Sequence, residues 1–85
     1  MASLNDVING VMNGKSYRRR EEDGGFQQLV PLLPLAMCEV RYTVVDSQGE
    51  FAEWSIIALD ILLDPHSGMS PEGWEELNPQ DLHAV

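Results

Sequence analysis

A single cysteine, Cys38, stands in 85 residues, so no intramolecular disulfide forms. With only His66 and His83 beside it, no spacing reads as a zinc site either. The chain is therefore expected in a reducing cytosol, without a metal or other cofactor. Basic residues are scarce, five against fourteen acidic ones, and from Glu50 onward there is no Lys or Arg. A net charge of -9 argues against nucleic-acid binding, which needs a basic stripe to displace counterions. The beginning, "MASLNDVING", has neither a basic nor an apolar leader region. The longest apolar stretch falls short of the ~20 residues of a membrane span, so no membrane association is expected. No repeat and no low-complexity linker divides the chain.

What is present begins with an apolar stripe. Leu4, Val7, Ile8, Val11 and Met12 recur at helical spacing, predicting a helix over residues 4–13. Ser3 is its N-cap candidate, with Asp6 three residues on, and Gly14 stands where a left-handed C-cap belongs. Gly10 weakens such a helix by up to ~1 kcal/mol relative to Ala, so the helix is expected to depend on packing.

"KSYRR" and "GFQQLVPLLP" begin as strands. In "MCEVRYTVVD", Cys38, Val40, Tyr42 and Val44 alternate with Glu39, Arg41 and Thr43, the pattern of a half-buried antiparallel strand. Pro31 and Pro34 confine the segment between them to an edge, a bend or a connection. "DSQG" predicts a tight turn returning the chain as a strand over residues 50–54. After Trp54 the alternation stops, and residues 56–64 are expected to form a short helix, capped by Ser55 and stopped by Pro65, with Asp60 and Asp64 on one side. The resulting fold class is α+β: an N-terminal helix on a small antiparallel sheet, with a short helix after the last strand. Residues 1–65 make one domain, and 66–85 an acidic, turn-rich tail packed on it or extending from it. "PEGWEEL" within that tail is expected to make one or two helical turns, with Trp74 as its docking anchor.

Two features ask for an explanation. Four of the five basic side chains, Lys15, Arg18, Arg19 and Arg20, crowd residues 15–20, a place to recognise a small anion or a run neutralised by Glu21, Glu22 and Asp23. Asp60 sits among Ile57, Leu59, Ile61 and Leu62, where an ionised carboxylate must reach water or find a donor.

A helix, then "NGKSYRR", an aromatic-led strand, a hairpin whose second strand ends in Trp, and an Asp six residues later followed by Ile-Leu resembles the second family of phage Thoeris anti-defence proteins. The carrying residues are Lys15, Arg19, Gln48, Gly49, Trp54, Asp60, Ile61 and Leu62, and the likeness spans residues 4–64. The chain departs from the family in having Glu22 where a Trp is usual, and the apolar Ile56-Ile57-Ala58-Leu59 where a polar step is usual.

The resemblance implies a non-enzymatic sponge in the cytoplasm of an infected bacterium. Such a protein is a small homotetramer that encloses glycocyclic ADP-ribose between protomers, some relatives also holding cyclic dinucleotides, and it keeps the signal from its effector without cleaving it. It further implies a ligand site drawn from Trp54 or Phe26 for the adenine, Arg19 with Lys15 for phosphates, and Asp60 for ribose hydroxyls. The other readings stay open: Trp54 as a core or interface residue, Asp60 as the polar face of a helix, Arg19 as a surface ion-pair partner. No Gly-x-Ser-x-Gly or comparable framework orders the Ser and His residues for hydrolysis. The alternative class is a small acidic phage protein that inhibits a host protein by direct binding or nucleic-acid mimicry, presenting Glu50, Glu53, Asp60, Asp64, Glu72, Glu75, Glu76 and Asp81.

Overall fold

The computed structural model describes residues 4–64 and 72–81. In chain order the elements are α1 (Leu4–Met12), β1 (Ser16–Arg20), β2 (Phe26–Pro31), β3 (Glu39–Val45), β4 (Phe51–Ala58), α2 (Leu59–Leu62) and β5 (Glu75–Leu77). The fold is α+β. All five strands form one antiparallel sheet in the order β4-β3-β2-β1-β5. The first four strands are a meander, and β5 returns to the free side of β1.

Alternation along the strands decides where the core sits. The register aligns Tyr17, Leu29, Tyr42 and Ser55 across β1 to β4, so these side chains share one face. Val7 and Val11 of α1 cluster with Tyr17, Leu29, Val40 and Tyr42, and Leu59, Leu62, Leu63 and Trp74 complete the same core. The helices therefore cover one face of the sheet. Gly14 ends α1 with φ +84°, the left-handed conformation expected of it. Ser3, the expected N-cap, lies outside the described residues.

Gly10 has a packing reason. It is buried against Tyr17, and a Cβ there would overlap the phenol hydroxyl and stand 2.6 Å from Cζ. That close approach lets the Tyr17 hydroxyl donate to the Asp6 carbonyl at 3.3 Å, tying the ring to the helix backbone.

The β3–β4 hairpin forms at the expected turn. Gly49 N–H donates to the Asp46 carbonyl, and Asp46 Oδ1 accepts from the N–H groups of Gln48 and Glu50. Beyond it the structure corrects two expectations. The helix predicted over 56–64 is confined to Leu59–Leu62, because Ile56 and Ile57 continue β4 opposite Arg41 and Val40. Two β-branched residues beside a strand with open backbone groups favour the ladder, and Ser55 lies opposite Tyr42 rather than capping a helix.

The turns expected in "PEGWEEL" are instead the strand β5, paired with β1 from Ser16↔Leu77 to Arg18↔Glu75. Gly73 at φ +87° breaks a helical path there. Trp74 is an anchor as expected, fully buried in the core, and residues 75–77 complete the sheet rather than trailing from it. Among the described residues no helix is long and apolar enough to cross a membrane.

Candidate functional site

The face of the sheet opposite α1 gathers the groups with binding chemistry. Strand parity sends Arg18 and Arg20 of β1 there, with Phe26, Gln28 and Val30 of β2, Arg41 and Thr43 of β3, and Trp54 and Ile56 of β4. One register row crosses all five strands: Glu75, Arg18, Gln28, Thr43, Trp54. Each end of its central portion carries a guanidinium over a ring. Arg18 lies 4.1 Å from the Phe26 centroid, and Arg41 lies 5.4 Å from the Trp54 centroid.

Between these pairs Gln28 and Thr43 are fully buried, although none of the core helices lies on this side. Arg18 donates to Gln28 Oε1 at 3.2 Å and to the Asp81 carbonyl at 2.9 Å, which holds it upright at the β5 margin. Burial pushes the Arg18 pKa down, and the Arg20 charge adds to the shift against the opposing pull of Asp81. Among the described residues three buried polar atoms on this face have no hydrogen-bond partner: Arg18 Nε, Arg41 Nε and Thr43 Oγ1. An unmet buried donor or acceptor costs ~1–3 kcal/mol, so an incoming polar group gains by supplying the missing partner. Three of the four arginines of an acidic chain thus share one face with two aromatic rings.

The five residues expected to hold a ligand are not brought together within one chain. Phe26 and Trp54 do share the open face, separated by β3, a lateral distance of roughly 10 Å. Arg19 points to the helix side, where its guanidinium lies 5.0 Å from the Trp74 ring and reaches the Glu72 carbonyl at 3.5 Å. Both of these contacts are with the C-terminal segment. Lys15 pairs with Glu76 at 3.1 Å, both about half exposed, in a cleft of ≈ 500 Å³ between α1 and β5. Asp60 is exposed on α2, and its Oδ1 accepts the Ile61 N–H at 3.0 Å. It also faces Cys38, whose thiol is pushed up by burial first and by the Asp60 charge second.

Asp60 therefore reaches water rather than a buried donor. The strand face instead supplies Arg41, Gln28 and Thr43, which composition and spacing did not mark as ligand groups, and Arg18, which they marked only as one member of the basic run. Parity was the available signal, since Arg18 shares it with Phe26 through the β1–β2 register and Arg19 does not. Among the described residues no group of three or more His, Cys, Asp or Glu is placed to hold a metal ion.

The fold and this face define a small α+β protein with an open guanidinium–aromatic platform. Comparison with protein-family models, with curated proteins and with solved structures gives no match for the chain.

Proposed function

We propose that this chain is a phage anti-defence sponge, a non-enzymatic homo-oligomer that sequesters a nucleotide-derived immune signal in the cytoplasm of the infected host. The signal is glycocyclic ADP-ribose or a cyclic dinucleotide, held intact so that the host effector stays off. The observation that carries this reading is the row Arg18–Gln28–Thr43–Trp54 with its two guanidinium–ring pairs. Aromatic rings offer a stacking surface to a base, guanidinium forks match phosphate oxygens, and a carboxamide with a hydroxyl suits ribose or base edges. The element order also supports it: an N-terminal helix, a sheet, a Trp-bearing hairpin strand and a short helix carrying Asp60 follow in the order of the resemblance, with the strand running on past Trp54 to Ala58. A platform open on one side leaves a ligand half solvated, so a further copy of the chain set beside it completes the pocket.

The test is to incubate the purified protein with glycocyclic ADP-ribose and with cyclic dinucleotides, titrate by calorimetry, then heat and identify what is released. The expected result is binding without a protein partner and recovery of the unaltered signal. No heat of binding for any of these signals, or release of a cleaved product, overturns the proposal.

The acidic-inhibitor reading has one observation in its favour. Glu50, Glu53, Asp60, Asp64, Glu72, Glu75, Glu76 and Asp81 are all exposed. That reading requires binding to a basic host protein with steep salt dependence, and no affinity for a free nucleotide.

A further inference from the structure

The outer edge of β4 carries an interaction separate from the sheet face. Among the described residues β4 is the terminal strand, and it is exposed along most of its eight residues. Such an edge presents a row of unpaired backbone N–H and C=O groups, which proteins ordinarily protect with Lys, Pro, bulges or short length. Here residues 51–58 contain no Lys, Arg or Pro, and Glu53 is the one charge. The register shift at Val44/Val45 affects the beginning of the strand and leaves 53–58 regular against β3. Phe51, Trp54 and Ile56 along it are 45%, 58% and 54% exposed. The opposite edge is different: β5 has three residues, two of them exposed glutamates.

We infer that β4 pairs antiparallel with β4 of a second copy about a twofold axis, joining the two five-stranded sheets into one. The strand is self-complementary in length and in apolar content, and its near absence of charge gives it nothing with which to select a charged partner. Pairing β4 with β5 of another copy is limited to three residues, sets Glu75 and Glu76 beside Glu53-bearing strand, and leaves a free edge at each end. An axis at Ser55 avoids opposing like charges. It places Trp54 beside the second copy's Ile56 on the open face, and Glu53 opposite Ile57 rather than another Glu53. Both open faces then lie on the same side, with the two Arg41–Trp54 pairs flanking the seam, so the second copy extends the platform. The inference rests on the edge alone and is tested without ligand, so it stands or falls independently of the nucleotide reading.

Sedimentation of the full chain at micromolar concentration is expected to give twice the 9.5 kDa of one chain, or a multiple of that. Ile56→Lys, which adds the missing edge charge at an exposed position, should leave a single-chain mass with an unchanged circular dichroism spectrum. Val30→Lys, on the open face but two strands inward, should leave the assembly intact. In the unmodified protein, hydrogen exchange at the β4 amides should slow as concentration rises, a readout that depends on no variant. A 9.5 kDa species in the unmodified protein, an assembly unaffected by Ile56→Lys, equal disruption by Val30→Lys, or β4 exchange independent of concentration each overturns the pairing.

Discussion

Replacing Gly10 by Ala separates local propensity from tertiary packing in one experiment. In an isolated helix the change is favourable by about 1 kcal/mol. In the folded chain the new methyl overlaps the Tyr17 hydroxyl and falls 2.6 Å and 2.8 Å from two ring carbons. Either the phenol swings out of the core or α1 lifts away from β1. The first route gives up the bond from Tyr17 to the Asp6 carbonyl, worth about 0.5–1.5 kcal/mol. Overpacking of the surrounding core adds about 1–3 kcal/mol. Set against the propensity gain, the net expectation is a loss of about 1–3 kcal/mol. For a chain of this length each kcal/mol moves Tm by roughly 4–8 °C. Thermal melts followed by far-ultraviolet circular dichroism, with urea titration alongside, measure the change. Tyr17→Phe in the Gly10→Ala background removes the atom in closest overlap and should recover part of the loss, giving a coupling energy in the double-mutant cycle. A Gly10→Ala protein as stable as the parent, or more stable, refutes the packing argument.

Arg18→Ala and Arg41→Ala should each weaken signal binding by ~1.5–3 kcal/mol if they meet phosphate through charge-assisted bonds. Arg19→Ala should instead leave affinity unchanged and loosen the C-terminal segment, seen as faster hydrogen exchange in β5; calorimetry on the three variants checks the contrast. Tyr17 and Tyr42 both have pKa values raised by burial first, with Glu76 adding for Tyr17 and Glu53 for Tyr42. The unfolded chain therefore loses these protons before the folded one, so stability is retained below the usual tyrosine value of about 10 and should fall as pH rises through it. Denaturant midpoints across alkaline pH should show that decline, and it should shrink in Tyr42→Phe. Cys38 should alkylate more slowly than a free thiol at mildly alkaline pH, because burial and the Asp60 charge disfavour the thiolate. Asp60→Asn should speed that alkylation while leaving the melt within about 0.5 kcal/mol of the parent, as befits an exposed side chain; an unchanged rate would detach Asp60 from Cys38.

Elements whose signal is local were legible in consecutive residues. Val7 and Val11 at helical spacing are enough to define the buried stripe of α1, and Val40 and Tyr42 the core face of β3, since periodicity is a property of consecutive residues. Asp46 and Gly49 encode their turn the same way, through an Asx bond and a positive φ. The remaining elements depended on partners far away in the chain. Ile56 and Ile57 belong to a strand because β3 stands beside them with backbone groups to pair, a partner that residues 56–64 alone do not reveal. Glu75 to Leu77 became a strand for the same reason, with β1, far earlier in the chain, as the partner. The candidate site followed from register: the basic run 15–20 looked like one cluster, yet strand pleating sends Arg18 to the open face with Phe26 and Arg19 to Trp74 on the other. Composition told that cations were scarce, and only the pairing of strands told which of them meet the rings.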